Sequence, residues 1–302
     1  MVELRWADRL DEAGTDEVAA VIEVIDAATE ADGVSPVSEH VLLHLRGGAG
    51  GAATNLLAFD GGTVVGYAHL DVTDQFGGST GELVVHPDHR RRGVATELVG
   101  ALADRTGPGE GRLRLWAHGE HPAAARLAER FGFTRARVLL QLRRSLLSPL
   151  DRPRLPDGVR LRPFEVGADE QEFVKVNNRA FDWHPEQGGW DVEQVRVREA
   201  EPWFDPAGFL LAVDADDRLL GFHWTKVHSD SEPIGEVYVL GVDPSAHGRG
   251  LGVALTLAGL HHLRGRGLRE VMLYVEADNH GAVAMYRKLG FTDWDTDVAY
   301  SR

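Results

Sequence analysis

Leu240-Gly241-Val242-Asp243-Pro244-Ser245-Ala246-His247-Gly248-Arg249-Gly250-Leu251-Gly252 passes from an apolar, strand-like run through a proline turn into a glycine-rich loop. A helical pattern follows from about 250 to 264. The same order stands upstream in Leu83-Val84-Val85-His86-Pro87-Asp88-His89-Arg90-Arg91-Arg92-Gly93-Val94-Ala95. Pro87 answers Pro244 and Gly93 answers Gly250, both 157 positions apart, and Leu4-Arg5 answers Leu161-Arg162 at the same offset. Gly132-Phe133 and Gly290-Phe291 stand 158 apart, and Leu56-Leu57-Ala58 resembles Leu210-Leu211-Ala212 at 154. Landmarks kept in one order with small gaps read as a degenerate tandem repeat.

The boundary lies in Ser148-Pro149-Leu150-Asp151-Arg152-Pro153-Arg154-Leu155-Pro156-Asp157-Gly158, where three prolines exclude both a helix and a central strand. The repeat therefore predicts domains over 1–147 and 158–302 joined by a linker over 148–157, which suits a chain of 302 residues. Val18, Val21, Ile22 and Ile25 share one helical face over 16–28. Leu56 to Phe59 and Val64 to Leu70 flank the turn Asp60-Gly61-Gly62, a hairpin signal that recurs at 209–213, 214–217 and 219–227. A strand over 236–242, the loop and its helix, a strand over 271–276 and a helix capped by Asn279 or Asp278 complete the second half. The order β-β-β-loop-α-β-α predicts an α+β fold: each half a mainly antiparallel sheet with one crossover, flanked by helices.

Composition narrows the function. With 32 basic and 47 acidic residues the net charge is 32 − 47 = −15, which disfavours nucleic acid and anionic membranes as partners. The absence of cysteine excludes disulfides, thiolate metal sites and a cysteine nucleophile. Met1-Val2-Glu3-Leu4-Arg5-Trp6 carries no secretory pattern, and no segment reaches the roughly 20 apolar residues of a membrane span. The expected setting is cytoplasmic, with a monomer expected. The histidines show no ligand spacing, so no metal is expected.

A glycine-rich turn entering a helix presents unpaired amides at the positive end of a helix dipole, which suits a phosphate or pyrophosphate. The loop lacks the Gly-Lys-Ser/Thr of a P-loop and the third glycine of a dinucleotide fingerprint. Val242-Asp243-Pro244, the loop, and Asn279-His280-Gly281-Ala282-Val283-Ala284-Met285-Tyr286-Arg287-Lys288-Leu289-Gly290-Phe291 together resemble the GCN5-related N-acetyltransferase (GNAT) superfamily. Each half carries the loop, so the resemblance covers essentially the whole chain. It implies acetyl-CoA as co-substrate. In the second half the donor would lie along Leu240, Gly241, Val242, His247, Gly248, Arg249, Gly250, Leu251, Gly252 and Val253. Asn279, His280, Gly281, Ala282, Val283 and Ala284 would complete that site. In the first half it would lie along Leu83, Val84, Val85, Arg91, Arg92, Gly93, Val94, Ala95 and Thr96. His247 departs from the family's usual Gln or Arg, which weakens a side-chain contact to phosphate.

Further segments resemble a narrower group of actinobacterial tandem acetyltransferases. They are Asn177-Asn178-Arg179-Ala180-Phe181, His184-Pro185-Glu186-Gln187-Gly188-Gly189-Trp190, Trp203-Phe204-Asp205-Pro206, Gly221-Phe222-His223-Trp224-Thr225-Lys226 and Gly235-Glu236-Val237-Tyr238-Val239. This resemblance implies acetylation of the cysteinyl amine of cysteinyl-glucosaminyl-inositol, the final step of mycothiol biosynthesis. Another small amine as acceptor, or a non-enzymatic acetyl-CoA-binding module, remain the alternatives.

Transfer from a thioester to an amine needs a base for the amine, a donor for the oxyanion and an acid for the thiolate. Glu236 is the candidate base, Tyr286 the candidate acid, and the amide of Leu240 or Val242 the candidate oxyanion donor. At the repeat offsets Glu236 corresponds to Ser79, Tyr286 to Ala128 and Asn279 to His121, so the first half is expected not to turn over. Glu82 is a substitute base that strand alternation places on the face opposite Ser79. Lys226, Asp182 and Tyr274 are candidate acceptor contacts, or else a solvated strand end, a turn aspartate and a packed tyrosine. Glu39 is a surface residue on spacing alone; the resemblance implies that it reaches the acceptor. Arg90-Arg91-Arg92 reads as a charge complement to CoA phosphates.

Overall fold

A computed structural model describes residues 2–8, 10, 15–47, 53–72, 78–107, 113–183, 187, 189–228 and 233–302. The chain forms two compact units, Met1–Leu139 with Asp295–Arg302, and Leu140–Trp294.

In the first unit β1 (Glu3–Ala7) precedes helices α1 (Thr15–Asp32) and α2 (Glu39–Gly47). The antiparallel strands β2 (Ala53–Asp60), β3 (Thr63–Asp71) and β4 (Ser79–Val85) follow. Helix α3 (Val94–Thr106) then crosses to β5 (Leu113–Ala117), which lies parallel to β4, and α4 (Pro122–Arg130) leads to β6 (Thr134–Ser145). The second unit repeats this with β7 (Arg160–Pro163), α5 (Glu170–Ala180), α6 (Val192–Glu199), β8 (Phe209–Val213), β9 (Leu219–His228) and β10 (Ile234–Val242). Helix α7 (Leu251–Gly265), β11 (Glu270–Glu276), α8 (His280–Lys288) and β12 (Thr292–Ser301) complete it. In each unit the successive strands, β1 to β4 and β7 to β10, pair antiparallel, and the crossover pairs β4/β5 and β10/β11 are parallel, the mixed α/β plan that the sequence predicts.

The last strands separate the repeat from the compact units. The end of β12 pairs antiparallel with β5, Val298 opposite Ala117, and so belongs to the first unit. The end of β6, from Leu140 onward, neighbours β11 in the second. The compact units part at Leu139 and Trp294.

Packing follows the two periodicities. On α1 the buried stripe is Val21, Val24, Ile25 and Ala28, so the predicted face turns slightly and leaves Ile22 at its edge. Leu251, Ala254, Leu255, Leu260 and Leu263 bury the inner face of α7. That helix lies close to the sheet because residue 259 is glycine: a Cβ there would come within 2.1 Å of the His223 ring. Burial depresses His223 to about 4, and its Nδ1 lies 2.8 Å from the Leu255 carbonyl, so a neutral imidazole fills the gap. The other face of this sheet carries an aromatic core in which Trp224 stacks on Phe209 at 4.3 Å and Phe173 meets both edge-on.

One carboxyl in this unit resists ionisation. Burial, then the nearby Glu170 carboxylate, raises Glu199 from 4.5 to about 7. A folded pKa above the unfolded one favours the neutral acid, so this stability is full below about 4.5 and is lost as pH rises through 7. Glu199→Gln is therefore expected to raise unfolding stability at pH 8 by about 1–2 kcal/mol, after allowance for solvent screening. Urea melts at pH 8 and pH 4.5 check this; an equal gain at both would reject the assignment.

Candidate functional site

In the second unit β10 and β11 pair only from Gly235 to Val237 and from Val271 to Leu273. Both strands run on, to Val242 and Glu276, so they splay. Leu240, Gly241 and Val242 keep β9 on one side and present an open backbone edge on the other. The chain then makes the short turn Pro244–Ala246, fixed by Asp243, which accepts from the Ser245 amide at 2.9 Å and from Arg179 Nε at 2.8 Å. Gly248 and Gly250 have φ of 75° and 79°, and Gly250 caps α7 with no side chain bonded to the helix. The first-turn amides at Leu251, Gly252 and Val253 thus have no capping acceptor beside the exposed Arg249, a fit for a pyrophosphate. His247 does not turn toward that site: its Nε2 lies 2.9 Å from the Val242 carbonyl and ties the loop to its strand. Asn279 is likewise a structural cap, accepting from the Ala282 amide at 3.1 Å, and His280, Gly281, Ala282, Val283 and Ala284 form the opening turns of α8.

Glu236 lies in the paired part of β10, opposite Lys226 on β9, and both are 7% exposed. Facing partners in a ladder share a sheet face, here the one that carries the aromatic core. Lys226 Nζ stands 4.7 Å from the Trp203 ring and 5.4 Å from Tyr238, so it lies in an aromatic recess and not at a solvated strand end. Arg198 Nε donates to Tyr238 Oη at 2.8 Å and holds that ring. Glu236 Oε2 lies 2.7 Å from His228 Nε2. Tyr286 packs on the other side of the sheet, its ring 5.6 Å from Phe291, and burial raises its phenol so that it stays protonated. Tyr274 is 39% exposed and its hydroxyl accepts from Gln141 at 2.6 Å. Asp182 is exposed in the turn that ends α5.

The first unit keeps the loop and changes the chemistry. Gly93, φ 89°, caps α3 without a side-chain bond, and Arg91 occupies the left-handed position of Gly248, φ 61°. Arg90 Nε reaches the Val85 carbonyl at 3.3 Å, the tie that His247 makes, while its terminal nitrogens grip Asp32 at 2.7 Å. Arg90 is thus engaged within the fold. Arg91 lines a cleft of about 800 Å³ with Leu83, Val84, Val85, Val94, Ala95 and Thr96, and Arg92 is exposed at the loop. That volume falls in the range of small-molecule sites, roughly 300–1,000 Å³. Ala128, where the second unit has Tyr286, also lines it, and His121 caps α4 as Asn279 caps α8, its Nδ1 accepting from the Ala123 amide.

Pairing corrects one equivalence. A register shift between Val237 and Val239 leaves Tyr238 as an extra residue in β10, whereas β4 pairs with β3 without interruption. Glu236, opposite Lys226, therefore matches Thr80, opposite Asp71, and not Ser79. Glu82 then lies on the same face as that position. It is bound there: Ser38 donates to it through its amide at 2.5 Å and its hydroxyl at 2.7 Å, and His118 Nε2 stands 3.4 Å away. His118 Nδ1 lies 3.0 Å from Asp297. Burial alone would depress His118, but its bonds to Asp297 and Glu82 outweigh it and push the ring up to about 10. Burial alone would raise Glu82, but His118 and Ser38 hold it below the usual carboxylate range. A carboxylate locked to an imidazolium makes a poor base. Glu39 opens α2 beside Ser38 and is half-buried.

Other sequence motifs prove structural. Asn177 Nδ2 donates to the Gln187 carbonyl at 2.8 Å, and Asn178 bonds Trp190 through both ends of its amide, which staples the chain after α5. His184, Pro185, Glu186 and Gly188 lie outside the described residues. The sequence does not single out His228: the predicted strand ends at residue 227, and the observed β9–β10 ladder, with Lys226 opposite Glu236 and His228 opposite Ile234, brings it beside Glu236.

A sequence model of the acetyltransferase (GNAT) family matches residues 23–133 and 177–291. The chain is similar to the mycothiol acetyltransferases of Thermobispora bispora, 55% identical over 94% of this chain and 95% of the relative, and of Actinosynnema mirum, 53% identical over the full length of both. Among solved structures it resembles a GCN5-related N-acetyltransferase from Sphaerobacter thermophilus (25% identity, TM-score 0.70, covering 99% of this chain and 95% of that one). A tandem GNAT protein from the clavulanic acid pathway shares the fold at 21% identity, with TM-score 0.76 over 100% and 98% of the two chains.

Proposed function

The chain belongs to the acetyltransferase (GNAT) family, and from that premise we propose that it moves the acetyl group of acetyl-CoA to the cysteinyl amine of cysteinyl-glucosaminyl-inositol, the last step of mycothiol biosynthesis. Full-length identity above one half to mycothiol acetyltransferases carries this reading. Among the described residues no group of His, Asp and Glu has metal-holding geometry, and no helix is long and apolar enough to cross a membrane. The reading includes a monomeric, cytoplasmic enzyme.

In the proposed mechanism the pyrophosphate rests on the uncapped amides of α7 and the pantetheine arm follows the open edge of β10. Glu236 takes a proton from the acceptor ammonium, and the freed lone pair attacks the thioester carbon. The amide of Leu240 or Val242 receives the oxyanion. The C–S bond then breaks; Tyr286, kept protonated by burial, gives its proton to the thiolate and regains one from the nitrogen, which loses its second proton as the amide forms. Lys226, Asp182, Tyr274 and Glu39 are the proposed acceptor contacts. The test is thiol release from acetyl-CoA with the cysteinyl pseudodisaccharide, its des-cysteinyl analogue and a panel of other amines. Release limited to the cysteinyl compound is expected; none with any amine would overturn the reading.

The first unit is proposed to hold acetyl-CoA without transferring it, since the loop and cleft persist while Thr80 and Ala128 stand at the base and acid positions. Gly93→Glu places a carboxylate at the uncapped amides of α3 and should reduce acetyl-CoA stoichiometry in calorimetric titration from two per chain to one. An unchanged stoichiometry would show that this loop does not hold the donor.

A further inference from the structure

Proton balance poses a problem that Glu236 alone does not solve. The overall reaction takes an acceptor ammonium and a thioester to an amide and a thiol. The ammonium loses two protons, the sulfur gains one, and one must reach solvent in each turnover. If Glu236 is the base, that proton leaves through Glu236, whose side chain is 10% exposed. Lys226, the residue opposite it, leads inward to Trp203 and Tyr238. His228 differs from both: it is the last residue of β9, its Nε2 lies 2.7 Å from Glu236 Oε2, and its side chain is 26% exposed.

We propose that His228 is a positioning residue for Glu236 that also carries the abstracted proton from the buried carboxyl to solvent. The inference rests on Glu236 acting as the base. An imidazole suits the task because it accepts a proton on one ring nitrogen while releasing one from the other. In the step itself, the O–H bond on protonated Glu236 breaks as an N–H bond forms at Nε2. The Nδ1 proton passes to water, which leaves Nε2–H donating to the Glu236 carboxylate as at the start of the cycle; once Glu236 is protonated again, exchange with solvent moves the ring proton from Nε2 to Nδ1 for the next relay. No oxidant or co-reactant is consumed. The same contact holds the Glu236 side chain in place.

Two substitutions separate the roles. His228→Gln keeps a hydrogen-bonding group near Glu236 and cannot relay a proton; His228→Ala removes both functions. Both are expected to lower kcat about tenfold or more, with KM for acetyl-CoA unchanged, and added imidazole should restore His228→Ala in a saturable way. Full turnover in His228→Gln would overturn the relay. So would a loss in both variants that imidazole does not restore although circular dichroism shows native folding. Glu236→Gln, run in parallel, isolates the premise: full turnover in that variant means that Glu236 is not the base, whereas its loss beside an unaffected His228→Gln means that only the relay has failed.

Discussion

Glu236→Gln is expected to lower kcat by about 10²–10⁴-fold while leaving acetyl-CoA binding near its wild-type strength, since removal of a general base acts on the transition state and not on the donor. Glutamine preserves the shape of the side chain and a hydrogen bond to His228, so the loss isolates proton abstraction from packing. Glu236 is placed for that step by the β9–β10 ladder. It stands in the paired part of β10, four residues before the open edge that begins at Leu240, where a thioester would lie. Burial to 7% makes the site sheltered. Steady-state rates against cysteinyl pseudodisaccharide, with donor affinity measured separately by titration, check the split. Retention of full kcat across pH would remove Glu236 from the mechanism.

The tandem plan was legible because its landmarks are local. Proline turns, left-handed glycines and helix caps impose their residue types within a few positions, so Pro87 with Pro244 and Gly93 with Gly250 align in the sequence alone. The hairpin at 209–227 and the Asn279 cap were legible for the same reason. What escaped depends on pairing. The extra residue at Tyr238 leaves no signature in residue type, and it moves the match of Glu236 from Ser79 to Thr80, which brings Glu82 onto the same face as that position. The last strands escaped too: Asp297 stands 179 residues from His118, and no periodicity announces that the chain's end completes the first sheet. His228 escaped for the same reason, since only the observed β9–β10 register brings it to the Glu236 carboxylate.

His118→Ala is expected to destabilise the first unit by about 3–5 kcal/mol at pH 7, because it leaves the Glu82 and Asp297 carboxylates buried without their shared cation. The three side chains are only 12%, 8% and 7% exposed, for His118, Glu82 and Asp297 in turn, so water cannot replace the lost partner cheaply. The cluster also ties distant pieces of chain: Ser38 before α2, Glu82 on β4, His118 after β5 and the Gly119 amide, which donates to Asp297 at 3.0 Å. Its pH dependence has a definite sign. The imidazole rises from 6.5 unfolded to about 10 folded, so its stabilisation is complete below about 6.5 and is lost as pH climbs through 10. Glu82, held low, contributes above its unfolded value near 4.5 and loses that contribution as the solution is acidified. Wild-type protein should therefore show amide protection in β4 and β5 that weakens steeply between pH 7 and 10, and His118→Ala should start low and change little across that window. His118→Gln, which can still donate to one carboxylate without carrying charge, should fall between the two. A change below about 1 kcal/mol at pH 7, or wild-type protection that is flat to pH 10, would show that the cluster is not charged as the geometry requires. Glu82 would then be free to take the role of a base that this arrangement denies it.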